Sequence, residues 1–283
     1  MAETAFQIQY RREFIAGFEQ HQSLTRDMVT TEVEINGNQA TFLIASSGGA
    51  TAVSRGVNGR IPARGDSLTQ TTATLVEWHD LVERTRFNIF ASQGNARQIM
   101  QMTTMAVINR KIDDDIITEL NTGTVNTGTA VVATPDLFDK AMTILGNAKV
   151  PWDGNITALV TPAFMSYIRR SREFAGAEYV NARPMESGET AWTDQIKVYR
   201  WSGAVWVVHP GLPGAGTSAE KCFLFHKSAI GHAVAMDGIQ SPIGYDEKQD
   251  TSWARCSIYM GSKLLQNSGV VVMNHDGSQL VAA

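Results

Sequence analysis

The chain has 283 residues, of which 43% are hydrophobic, 18% charged and 8% aromatic, the composition of a folded globular protein of roughly two domains at ~150 residues each. Gly (24) and Pro (8) stand at ordinary levels, which excludes collagen-like, low-complexity and wholly disordered classes. A formal net charge of −4 gives no overall basic footprint for gripping nucleic acid, two cysteines cannot build a disulfide framework, and no apolar run approaches the ~18 residues of a membrane helix.

Residues 6–30 are helix-permissive, with Phe14 and Phe18 as an i,i+4 aromatic pair, and read as an arm carrying a short helix. Val33 and Ile35 alternate with charges, Asn36-Gly37 is a turn signal, and Phe42 and Ile44 resume the alternation, so 32–44 is expected to form a hairpin. Residues 45–70 are rich in Gly and Arg and poor in bulky apolar side chains, so they cannot make a core of their own. Residues 71–89 are rich in Thr, Val, Trp and Phe and alternate in part, which extends the picture to one long two-stranded excursion over 36–89 with a glycine-rich tip. A lone two-stranded arm is unstable in water and needs a surface to lie on.

The period changes at Asn95. Ile99, Met102, Met105, Ile108, Ile112, Ile116 and Leu120 recur at spacings of three and four, which predicts an amphipathic helix of ~25 residues and ~38 Å that runs out at Asn121-Thr122-Gly123. Thr134-Pro135-Asp136 supplies an N-cap, an N1 proline and a first-turn acid for a second helix, with Leu137, Ala141, Ile144, Leu145 and Ala148 inward. After the Asp153-Gly154 turn a strand is expected at 156–160, and Thr161-Pro162 repeats the helix-start signal. Further strands are predicted at 196–201, 205–209, 222–226 and 230–236. The alternation of Ala254, Cys256, Ile258 and Met260, followed by 269–273, returns the chain to a sheet beside the long helix.

Candidate chemistry is sparse. Cys222, His226 and His232 are the nearest approach to a metal-ligand cluster, but on alternating strands they read as sheet polar groups and a small core side chain. Asp113-Asp114-Asp115 fans three carboxylates around the helix, which cannot aim them at one metal and reads as a solvated face. Gly211–Gly216 follows a strand but is expected to precede another strand, and its proline removes an amide donor, so it reads as a hairpin loop and not a phosphate cradle. No nucleophile elbow, Walker motif or acid/base pair stands out, so no catalytic, cofactor or metal residue is assigned. The basic residues are asymmetric: ten arginines and no lysine precede Lys111, and all eight lysines lie from Lys111 onward. Arginine's planar fork suits interfacial ion pairs, so the N-terminal third reads as contact surface.

Taken in order, the elements are an arm, a long extended hairpin, a spine helix, an α+β insertion and a return to the sheet. This layout resembles the Hong Kong 97-like major capsid protein of tailed bacteriophages, an α+β fold with N-arm, E-loop, P-domain and A-domain. The resemblance rests on Arg11-Arg12-Glu13-Phe14 with Phe18-Glu19-Gln20; on Arg60-Ile61-Pro62 before Asp66; on 141–145 running through Val150-Pro151-Trp152-Asp153-Gly154-Asn155 to Val160-Thr161-Pro162-Ala163; and on 225–231. It implies an N-terminal arm at 1–35, an E-loop at 36–89, a P-domain with the spine helix at 90–133, an A-domain at 134–236 and return strands of the P-domain at 237–283.

The resemblance further implies a structural protein whose copies form hexamers and pentamers of an icosahedral head. Scaffolding and portal proteins, a decoration protein where one is present, and packaged double-stranded DNA held without sequence-specific binding would be its partners. The expected setting is the virion capsid, with assembly in the host cytoplasm and no membrane. Arg11, Arg12, Arg55, Arg60, Arg64, Asp66, Arg84 and Arg86 are the intersubunit-contact candidates. Some relatives cross-link through an E-loop lysine; residues 36–89 contain none, so reinforcement is expected to be non-covalent. An encapsulin-like nanocompartment shell is the alternative within the fold, and a soluble α/β enzyme the alternative outside it.

Overall fold

The computed structural model describes residues 22–32, 35–47, 49–56, 58–59, 61, 63, 65, 67–91, 96–172, 199–235 and 237–281. The predicted arm helix around Phe14 and Phe18, and most of the segment expected to be a strand at 196–201, lie outside them.

After a 3-10 turn at Arg26–Met28 come β1 (Thr30–Glu32), β2 (Ile35–Asn36) and β3 (Gln39–Ser46). β2 and β3 meet at the Asn36-Gly37 turn, where Gly37 adopts φ 67°, a left-handed value that glycine accepts without steric cost. β4 (Ser67–Thr74) pairs with β3 in antiparallel register from Gln39↔Thr74 to Ser46↔Ser67, leaving 47–66 as the connection at the far end.

β5 (Val76–Thr85) does not continue that excursion. It pairs with residues 251–260 of a strand much later in the chain, so the two-stranded extension ends near Leu75 and not at Ile89. The alternation read through Arg84–Ile89 also gives way, to helix α1 (Arg86–Ala91). The ladder partner runs out at Thr251↔Thr85, Arg86 N–H turns to Asp250 O, and Thr85 Oγ1 accepts Asn88 N–H at 3.3 Å, a cap that starts a helix.

Helix α2 (Ala96–Leu120) has the predicted length, with Ile108, Ile112, Ile116 and Leu120 buried. Its first half departs from the expected stripe. Met102 is 56% exposed and Met105 38%, while Met100, Thr104 and Ala106 are buried. Three successive steps of three residues turn a helix by about 900°, which carries Ile99 to the side opposite Ile108, so the 99-102-105-108 series cannot share one face.

Helix α3 (Pro135–Asn147) and helix α4 (Pro162–Arg170) flank the central strand β6 (Ile156–Val160), whose five residues are all buried. Both caps form as expected: Thr134 Oγ1 accepts Leu137 N–H at 3.3 Å, and Thr161 Oγ1 accepts Phe164 N–H at 3.1 Å. β7 (Tyr199–Trp201) and β8 (Ala204–Val208) lie on one side of β6, and β9 (Glu220–His226) on the other. Because β6 stands between β8 and β9, the Gly211–Gly216 loop is a connection over β6 and not the expected hairpin.

β10 (Ile230–Val234), β11 (Ile243–Asp246) and the 14-residue β12 (Thr251–Leu264) form a second sheet with β1 and β5, and β12 packs against α2. β13 (Val270–His275) leaves that sheet and pairs with β9, contrary to the expectation that every late strand returns to the spine.

One large core joins α2, α3, α4 and the two five-stranded sheets, with Trp206 fully buried and its ring centroid 4.6 Å from that of Phe138. The hairpin has a separate and much smaller cluster of Ala40, Phe42, Ala73 and Ala233.

Candidate intersubunit surface

The β3–β4 pair is a period-two structure, so its two faces follow from register. Ala40, Phe42 and Ile44 share a face with Ala73, Thr71 and Thr69; near the base this face seats on the body, where Phe42 lies over Gly231 of β10. A Cβ at residue 231 would stand 2.6 Å from the Phe42 ring, so the close approach requires glycine. On the opposite face Leu43 is 69% exposed and Leu68 64%. They are diagonal neighbours, since Leu43 sits opposite Gln70 and Ala45 opposite Leu68. Val53 and Ile61 in the connection are also exposed, so the end of the hairpin presents apolar side chains to solvent and no core of its own.

The expected contact residues do not converge. Arg55 is exposed in the connection at the tip, whereas Arg84 and Arg86 lie at the far end of β5, ~30 Å of extended strand from where β5 begins. Arg86 sits against the Tyr245–Asp250 pair of its own chain, where Tyr245 Oη donates to Asp250 and its pKa is raised first by that hydrogen bond. Arg11, Arg12, Arg60, Arg64 and Asp66 lie outside the described residues.

Sequence reasoning missed the polar hub that fixes the N-terminal segment. Asp113 is buried, not part of a solvated face; of the three carboxylates only Asp114 is exposed, and Asp115 accepts a hydrogen bond from Ser262 Oγ at 2.5 Å. Asp113 Oδ1 accepts Ser23 Oγ at 2.6 Å, Thr25 Oγ1 at 2.7 Å and Thr25 N–H at 3.1 Å, and Oδ2 accepts Leu24 N–H at 3.0 Å. Burial pushes this carboxyl up, but the hydrogen bonds from His209, Ser23, Thr25 and the Leu24 amide together outweigh it and hold the pKa down at about 2. The only sequence signal was position: Asp113 directly follows Ile112 on the buried stripe.

The three residues nearest to a metal-binding pattern are separated by the fold. Cys222 is buried beside Thr161, and burial pushes its thiol up to about 12. His226 Nε2 bonds Asp153 at 3.0 Å while its Nδ1 accepts Ser228 N–H, and His232 Nδ1 bonds Ser262 Oγ at 2.9 Å. Among the described residues no group of three His, Cys, Asp or Glu side chains is placed to hold a metal ion, and no helix is long and apolar enough to cross a membrane.

Residues 2–277 match the family model described as phage capsid protein. The fold is similar to the solved structure of Mycobacterium phage Che8, at TM-score 0.73 and 18% identity, covering 96% of this chain and 98% of that one. It is similar to the capsid of the cyanophage P-SCSP1u at TM-score 0.70 and 11% identity, covering 96% and 93%, and to the capsid of Ralstonia phage GP4 at TM-score 0.69 and 10% identity, covering 96% of each. No curated protein matches the sequence. These findings favour neither the nanocompartment nor the enzyme alternative, and the α+β fold is that of phage major capsid proteins. The chain belongs to the phage capsid protein family and is a structural protein of the virion shell.

Proposed function

We propose that copies of this chain tile an icosahedral phage head as hexamers and pentamers, assembled in the host cytoplasm around a scaffolding protein. A portal closes one vertex, decoration proteins add to the outside where the phage encodes them, and double-stranded DNA fills the interior without sequence-specific binding. The observation that carries this reading is the β3–β4 hairpin, which joins the body through the four-residue cluster around Phe42 and leaves Leu43, Leu68, Val53 and Ile61 uncovered. An extension of that kind is stabilised by lying on a neighbour.

The net charge of −4 supports a container that does not grip its own nucleic acid. We keep the division into N-terminal arm, extended loop, spine-bearing domain and α+β domain, with two adjustments: the extended loop ends near Leu75, and β13 belongs with β9. Arg11, Arg12, Arg55, Arg60, Arg64, Asp66 and Arg84 are read as contact residues toward neighbours, with Arg86 shared between a neighbour and its own Tyr245. Each exposed pair contributes only about 0–1 kcal/mol, so cohesion comes from repetition.

Negative-stain micrographs and native mass measurement of the purified protein, expressed alone or with its scaffold, test the reading. Shells, rings or tubes of megadalton size are expected. A monodisperse species at the 30.9 kDa monomer mass at high micromolar concentration overturns it.

A further inference from the structure

Among the described residues β4 has a strand on one side only. On the far side of β3, β2 covers only Gln39 and Ala40. Register fixes which main-chain groups are left over. Leu75 N–H donates to Asn38 O at 2.8 Å, which makes these two a hydrogen-bonded pair. In an antiparallel ladder such pairs alternate, so Ala73, Thr71, Thr69 and Ser67 turn their N–H and C=O groups toward β3. The same groups of Leu68, Gln70 and Thr72 point off the open edge.

An open edge is a template for another strand, and proteins that keep one unpaired guard it with charge. β5 shows the guarded kind: it pairs only with β12, and its ten residues include Glu77, His79, Asp80, Glu83 and Arg84. β3 and β4 show the opposite. Their sixteen residues contain no charged side chain and no proline, four of the eight in β4 are threonine, and Leu43 and Leu68 lie exposed on the adjoining face.

We propose that β4 is completed by a strand of a second copy of this chain, added edge to edge through the outward main-chain groups of Leu68, Gln70 and Thr72. The inference rests on the shell-protein reading and specifies how the hairpin engages its neighbour. The occupant is protein and not nucleic acid, because phosphates are held by lysine and arginine and 67–74 has neither. It is a copy of the same chain because a shell built from this chain places one beside every hairpin, at high effective concentration.

Amide hydrogen exchange on the full chain, unassembled and in purified particles, is the test. Leu68, Gln70 and Thr72 are expected to exchange fast in the unassembled chain and about 100-fold or more slower in particles, while Thr69 and Thr71 are protected in both. Gln70→Pro removes one outward amide and leaves the β3 ladder intact; it is expected to keep the unfolding temperature and lose assembly at least about tenfold. Thr71→Pro, which removes an inward amide, is expected to lower the unfolding temperature.

If Gln70→Pro fails to fold, the exchange comparison on the wild-type chain decides alone. Particles in which the three outward amides exchange as fast as in the free chain overturn the edge pairing and leave the capsid reading standing. A wild-type chain that never assembles overturns both.

Discussion

His209 donates its Nε2 proton to Asp113 Oδ2 at 3.3 Å, and the direction is fixed because Nδ1 of the same ring accepts Gly211 N–H at 3.0 Å. His209 follows directly on β8, so this contact ties the α+β unit to the spine helix. Asp113 also holds Ser23, Leu24 and Thr25, and one carboxylate thereby joins three parts of the chain.

Asp113→Ala is therefore expected to leave several buried donors without an acceptor and to destabilise the unassembled protein by about 3 kcal/mol. Asp113→Asn is expected to recover only part of that, since its amide nitrogen opposes the donors around it. Urea unfolding of the two variants against wild type measures both. Equal stability of Asp113→Ala and wild type would remove the hub from the account.

Stability is expected to fall in acid in two windows. His232 is pushed down to about 4, by burial first and by the Arg26 charge second. Ser262 spends its hydroxyl proton on Asp115, so it accepts from His232 Nδ1–H, and the buried Nε2 has no hydrogen-bond partner. A folded pKa below the unfolded value of 6.5 means the unfolded chain takes up the proton first, so stability is complete above pH 6.5 and drops by about 3 kcal/mol as pH falls toward 4. Asp113, at about 2 when folded against 3.8 unfolded, contributes a further ~2 kcal/mol above 3.8 that is lost as pH falls from 3.8 through 2. Urea midpoints between pH 7 and 4 are expected to flatten in His232→Gln and to stay steep in wild type.

Gly231→Ala is expected to push the Phe42 ring off its seat, because the added carbon would stand 2.6 Å from it. The effect falls on the small cluster and not on the large core. Limited proteolysis of the unassembled chain is expected to cut 47–66 faster in the variant, with Trp206 fluorescence unchanged. Accelerated cutting accompanied by loss of the Trp206 signal would show that the two clusters are not separate.

Replacing Arg55, Arg60 and Arg64 together with Ala is expected to reduce assembly at moderate salt while moving the monomer's unfolding temperature little. Normal assembly of the triple variant would take these side chains out of the contact set.

Legibility in the sequence followed the range of the interaction. The caps at Thr134 and Thr161 need only residues three positions on, and both were readable, as was the length of α2. Strand partners are chosen at long range. Nothing local to 76–85 says that it pairs with 251–260 and not with its neighbour, so the extension was drawn too long. Asp113 looked solvated for the same reason, because its donors come from 23–25 and from His209. The glycine at 231 had no meaning until Phe42 was found above it.

The pairing of early strands with late ones sets the order in which this chain can fold during synthesis. β1 needs β10, β5 needs β12, and Phe42 has no seat until Gly231 has been made. At ~5–20 residues per second the ribosome takes on the order of ten seconds to travel from β5 to β12. Throughout that interval the uncharged hairpin stands without its body. The topology therefore has high contact order, its folding is slow and completed late, and newly made chains are most prone to pair wrongly with one another before β12 emerges.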